Sequence, residues 1–202
     1  MIKRLSKYFD LHLYKSTLPA ILIALITVPC TMLLPTSYGF ENGPIENLQM
    51  LVLILACIIA FCSRNHPKLF HFVGLIIIAL LLRETNCGRT LFFAVPGTEN
   101  SFYKWSEIKY GWLVHPLYGI FVACTVAYFI FNKLHRDILQ IIHTIKFPLW
   151  CIILLMCGFT FGLCAEKIMH NMVFEELAEL LFYVALSSTI YIYASTRAPA
   201  SK

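Results

Sequence analysis

Three short stretches of this 202-residue chain set charged side chains against long apolar runs. Glu41-Asn42-Gly43-Pro44-Ile45-Glu46 precedes one run, Arg83-Glu84-Thr85-Asn86-Cys87-Gly88-Arg89 closes the next, and Glu175-Glu176-Leu177-Ala178-Glu179 opens the last. Ionisable groups beside hydrocarbon are costly, so they are functional candidates by default. Arg83 and Arg89 are suited to gripping an anionic head group. Glu84 and Glu179 are suited to moving a proton, and these four residues are the catalytic candidates. Glu41, Glu46, Glu175 and Glu176, together with His115 and His170, are candidates for binding a substrate or an ion. Two histidines with carboxylates suffice for a divalent metal ion, but neither histidine belongs to a spaced pair such as His-Glu-x-x-His. A divalent ion is therefore a possible cofactor whose identity the pattern leaves open.

Each carboxylate also has a plainer reading. A helix N-terminus favours an acid and a C-terminus disfavours it, by roughly 0.3–1 kcal/mol. Glu46, Glu175 and Glu176 stand at helix starts, where capping and the dipole alone account for them. Glu84 and Glu166 stand at helix ends, where the dipole opposes them. Glu84 then needs a cation, from Arg83, Arg89 or outside, and Glu166 is expected to pair with Lys167 or His170. Glu179 lies one turn inside the last apolar run and is expected to face the bundle, as a proton carrier, acid–base group or cation ligand.

The elements that must position these groups are membrane helices. The chain is 59% apolar and 13% charged, with mean hydropathy +0.73. A spanning helix needs about 20 mostly apolar residues, somewhat fewer where flanking side chains snorkel. Six segments qualify, at about 17–36, 47–63, 67–83, 112–132, 148–165 and 176–196. They predict an all-α, polytopic transmembrane bundle as one domain over 17–196, between a basic segment at 1–16 and a short tail at 197–202. No room is left for a separate soluble domain. The apolar run after Lys15 is too long for the core of a cleavable signal and has no small-x-small cleavage site.

Charge gives the orientation. With the N-terminus inside, eleven of the sixteen Lys and Arg residues fall on inner segments, as the positive-inside rule requires. All nine glutamates fall on the outer side, and Asp10 and Asp137 fall on the inner side. The expectation is an inner-membrane protein with both termini cytoplasmic. Its net charge of +5 reflects anionic lipid at the inner leaflet and gives no reason to expect nucleic acid.

Two basic amphipathic stretches, 1–16 and 132–148, predict interfacial helices on that leaflet. Residues 85–111 predict a long outer loop whose aromatic residues form an interfacial belt. Most of the eight cysteines sit in or beside the apolar runs as small apolar residues. A Cys87–Cys164 disulfide is conceivable.

The motifs Glu41-Asn42-Gly43-x-x-Glu46, Arg83-Glu84-x-x-x-Gly88-Arg89 and Glu175-Glu176-x-x-Glu179, in this order at helix ends, resemble those of a family of small polytopic bacterial inner-membrane proteins. The resemblance implies that the outer acidic and basic residues form one site, and it supplies no reaction. Three functions are compatible: an enzyme-like site for a lipid or lipid-linked envelope substrate, a proton- or cation-coupled small-solute transporter, and an accessory subunit of an envelope complex. Expected partners are the bilayer, such a substrate, and a second copy or another membrane protein.

Overall fold

The computed structural model describes residues 9–98, 100–144 and 146–195, apart from the side chains of His143 and Thr144. The expected helical positions of residues 1–8, the position of Ile145 on the second interfacial helix, Glu99 and the tail from 196 lie outside the described residues. The elements are β1 (Phe9–Asp10), α1 (Leu18–Leu33), α2 (Pro44–Cys62), α3 (Pro67–Glu84), α4 (Val114–Phe131), α5 (Leu134–Thr144), β2 (Phe147–Pro148), α6 (Leu149–Cys164) and α7 (Met172–Ser195). A single helical turn, Arg89–Phe92, and several short 3-10 turns lie between them.

Proline punctuates these helices. Pro44 and Pro67 occupy the first position of α2 and α3, where no helix hydrogen bond is lost and φ is already helical. Leu34, extended at ψ 141°, precedes Pro35 and ends α1, because the residue before a proline is driven out of the helical region. Pro29 lies inside α1.

Among the described residues, five segments are long and apolar enough to cross a membrane: Lys15–Leu33, Thr36–Cys62, Gly111–Phe131, Leu149–Met169 and Met172–Ser195. Helix α3 is 18 residues long but contains Lys68, Arg83 and Glu84, which set it apart from those five.

Helix α7 is the hub. It packs against α1, α2 and α6, while α3 packs on α2, and α4 on α3. One layer of the core joins Val173, Leu177, Leu181 and Ala185 of α7 to Ala20 of α1 and Ile45 of α2. A second joins Leu53, Ala56 and Ala60 of α2, Phe70 and Ile77 of α3, and Tyr183 and Ile190 of α7. In lipid there is no water to expel between helices, so close approach rests on small residues and dispersion. Gly158 of α6 is buried against Ala178 and Phe182 of α7 in this way. The side chains turned away from this core are large and apolar, among them Leu25, Leu51, Leu117, Ile120 and Phe131.

Helix α5 forms within the second stretch expected to be interfacial. Leu134 is buried and Leu139 and Ile142 are exposed. The first stretch differs. Phe9–Asp10 are extended and pair in parallel with β2, Phe9 opposite Phe147 and Asp10 opposite Pro148, and a 3-10 turn at Lys15–Thr17 leads into α1. Long-range bonds override the helical spacing there. Trp150 Nε1 donates to the Leu11 carbonyl at 3.1 Å, and Asp10 accepts the Tyr14 hydroxyl at 2.6 Å and the His12 N–H at 2.9 Å. These two donors hold the Asp10 carboxyl below its ordinary range. The Tyr14 hydroxyl is correspondingly pushed up to about 12.

Candidate functional site

The three motif stretches meet at one end of the bundle. The α1–α2 connection brings Glu41, α2 brings Glu46, the end of α3 brings Arg83, Glu84 and Asn86, and the start of α7 brings Glu175, Glu176 and Glu179. These eight residues line a cavity of about 180 Å³. Seven of them are among the ten residues singled out by sequence; Asn86, inside the second motif, is the addition.

Glu84 is the best anchored. Its side chain is 9% exposed, and its Oε1 accepts the Tyr183 hydroxyl at 2.6 Å. Arg83 spans the mouth with its side chain 62% exposed, Nη1 at 3.6 Å from Glu84 Oε1 and Nη2 at 3.7 Å from Glu179 Oε1. These are ion-pair distances, too long for hydrogen bonds. The adjacent cation therefore offsets Glu84's place at a helix C-terminus.

Glu46 is buried near the start of α2, where it accepts the Asn42 backbone N–H. Its role at a helix N-terminus and its place in the cavity lining coexist. Glu176 is different. The amide of fully buried Gln49 donates to both its carboxylate Oε2 and its carbonyl oxygen, each at 2.8 Å. The cap of α7 is supplied by Asn171, whose Oδ1 accepts the Phe174 N–H at 3.0 Å. That cap starts the helix at Met172, before the acidic cluster, so Glu176 and Glu179 sit deeper in α7 than sequence spacing suggested. Capping does not account for Glu176.

Arg89 stands behind the rim. The chain leaves α3 through Asn86, Cys87 and Gly88, all at positive φ, a sharp reversal for which asparagine and glycine are suited. With its amide turned to satisfy both partners, Asn86 accepts from Arg89 Nη2 at 2.8 Å and Nε at 3.3 Å. Arg89 Nη2 also lies 3.9 Å from Glu41 Oε2. Arg89 thus braces two lining residues without lining the cavity. Burial pushes the neighbouring Cys87 thiol up, and the eight cysteines, Cys87 and Cys164 included, are unpaired.

The remaining candidates lie elsewhere. His115 is exposed and packs edge-on against Trp105, ring centroids 6.3 Å apart. Glu166 and His170 are exposed on the π-helical turn Ala165–Met169 and its end, and neither lines the cavity. Glu166 forms no ion pair among the described residues. Those residues contain no three His, Cys, Asp or Glu side chains already gathered tightly enough to hold a metal ion. Sequence reasoning also passed over Gln49 and Tyr183, polar residues inside apolar helices, whose polarity alone was the available signal.

Comparison with protein-family models, curated proteins and solved structures finds no match.

The cavity's chemistry follows from its charge. Six glutamates and one arginine line it, five more potential anions than cations. Like charges gathered around buried carboxylates such as Glu46 and Glu84 repel one another and favour neutralisation. Protons or cations beside these carboxylates would relieve that repulsion.

Proposed function

We propose that this protein crosses the bacterial inner membrane six times with both termini in the cytoplasm, and that its acidic cavity is a cation-binding, enzyme-like site at the extracytoplasmic face acting on a lipid or lipid-linked envelope substrate. The topology rests on the five apolar spans and on α3, which connects two of them with its charges at its ends. It rests also on the partition of basic residues to one side. The motif resemblance supports the bacterial setting.

The observation that carries the site is the convergence of six carboxylates and Arg83 on one cavity. Apart from Arg83 and the Asn86 amide nitrogen, the lining groups are oxygen donors. That set suits a hard ion such as Mg²⁺, Ca²⁺ or Mn²⁺ and is poorly matched to the softer ions that prefer thiolate or imidazole. Some 180 Å³ leaves room for an ion that keeps several waters, at about 30 Å³ per water. Glu46, Glu84, Glu176 and Glu179 are the residues that would hold it, and they would have to draw together to do so, since no three such side chains are gathered for an ion among the described residues. A bound divalent ion would neutralise and orient a head-group phosphate. Arg83 at the mouth would grip the same head group, and Glu179, less enclosed than Glu84, would carry the proton.

A second reading, a proton- or cation-coupled transporter of a small solute, draws on the length of the Arg83 contacts. A guanidinium held only at 3.6 and 3.7 Å is a resident cation that an arriving one can displace.

Metal content of the detergent-purified protein tests the site, wild type beside Glu84→Gln and Glu179→Gln. Near-stoichiometric divalent metal that both variants lose is the expected result. Normal complementation of a deletion strain by both variants, with metal absent throughout, would defeat it.

A further inference from the structure

A cation site in a flexible acidic cluster needs at least one ligand fixed before the ion arrives, because ordering it afterwards costs binding free energy. Tyr183 provides the fixing contact. It is 2% exposed, within the core layer shared by α2, α3 and α7. Its ring sits edge-on against Phe182, centroids 5.4 Å apart. Its hydroxyl is directed at Glu84 Oε1, at 2.6 Å across the α3–α7 boundary.

The two oxygens of Glu84 are thereby made unequal. Oε1 receives the phenol and the Arg83 contact. Oε2 has no partner among the described residues, although Glu84 lines the cavity. Glu179 contrasts with this. Among the described residues its only contact of this kind is Arg83 at 3.7 Å, and its side chain is 25% exposed against 9% for Glu84. One carboxylate is held by a buried donor, and the other has only the longer Arg83 contact.

We propose that Tyr183 is a positioning residue that presets Glu84 as the cavity's fixed cation ligand, with Oε2 as the ligating atom. This rests on the cation-binding reading of the cavity. The phenol spends its one donor on Oε1, which fixes the carboxylate plane and turns the second oxygen to the ion. A hydrogen bond to a charged acceptor is among the stronger ones.

Terbium(III) alone is the probe, a hard ion that seeks oxygen and whose emission lifetimes in H₂O and D₂O count its bound waters. It is titrated into the full chain in detergent, for wild type, Tyr183→Phe, Glu84→Asp, Glu84→Gln and the Tyr183→Phe/Glu84→Gln pair. Tyr183→Phe keeps the ring and removes the donor. Glu84→Asp keeps the charge but draws it back from the phenol, and carries the test should the tyrosine variant fail to fold. Each is expected to weaken terbium binding roughly tenfold and to leave about one more water on the ion. The pair should bind no more weakly than Glu84→Gln alone, as expected of residues acting as a unit.

Tyr183→Phe and Glu84→Asp binding like wild type, while Glu84→Gln binds weakly, would overturn the positioning role and leave the cation site standing. So would additive losses in the pair, or a lowered melting temperature with unchanged affinity and water count. Wild type without saturable binding, or Glu84→Gln indistinguishable from it, would overturn the cation reading and the positioning role with it.

Discussion

Replacing Gly158 by alanine tests the helix contact that sets the depth of α7, and with it Glu179 and Tyr183. A Cβ at 158 would lie 2.6 Å from the Phe182 nitrogen, 2.9 Å from the Ala178 oxygen and 2.9 Å from the Phe182 Cα. All three are backbone atoms, so no side chain can rotate away. Carbon contacts settle near 3.5–4.0 Å, so α6 and α7 must part by roughly 1 Å. Overpacking of this kind costs about 1–3 kcal/mol. Gly162, one turn on, is the internal control, because its Cβ would meet only Glu179 Cγ, at 3.8 Å, an ordinary contact. Both substitutions gain helix propensity, about 0.8–1 kcal/mol each, so their difference isolates the clash. Gly162→Ala should be neutral or slightly stabilising, and Gly158→Ala should be about 1–3 kcal/mol less stable than Gly162→Ala. Reversible unfolding in mixed micelles measures both. Equal stabilities would refute the close α6–α7 approach on which the site's geometry depends.

Arg83→Gln tests the sign of the ligand's charge. Removing the one lining cation should tighten Mn²⁺ binding severalfold by leaving Glu84 and Glu179 less neutralised. A weaker affinity would mean that Arg83 helps to hold the ion's counter-anion. At the other end of the bundle, Tyr14→Phe should return the Asp10 carboxyl toward its ordinary range. A depressed carboxyl stabilises the fold above its unfolded value and ceases to as pH falls through the folded one. Hydrogen-exchange protection in residues 9–14, taken relative to the intrinsic rate at each pH, should therefore be full at neutral pH and fall below about pH 4 in wild type. In Tyr14→Phe protection should already be lower at neutral pH, and less of it should be lost on acidification. Identical profiles would remove the Asp10–Tyr14 pair from the anchoring of β1.

The helices were largely legible because twenty-odd apolar residues bounded by proline or charge leave few alternatives. Pro67 to Glu84 was marked almost to the residue by its flanking Pro67 and Arg83. The start of α7 was less so. Its acids suggested a beginning at Glu175 or Glu176, whereas the deciding signals were Asn171 as cap and His170 at positive φ, ordinary polar residues in a short connection. The β1–β2 pair was not legible, since two residues paired across more than a hundred positions leave no local periodicity. At the site, the charged motifs pointed to one another because two open helices and one closes a helix, all at the same end of the bundle. What they could not give was which charges line the cavity. Arg89 braces Asn86 and Glu41 from behind, and His115 turns to Trp105, both set by loop geometry. Tyr183 and Gln49 were hidden for a related reason. Each reads as one polar side chain within an apolar helix until its partner, Glu84 or Glu176, is brought beside it by packing between α7 and its neighbours.

Counting Mn²⁺ ions bound to the purified protein by electron paramagnetic resonance addresses the acidic cavity most directly. Wild type and the Glu84→Gln/Glu179→Gln variant would be compared in the same detergent at neutral pH. Saturable binding of about one ion per chain in wild type, lost in the variant while its melting behaviour is retained, is the result this account requires. Binding that is absent from wild type, or equal in the two proteins, would contradict it.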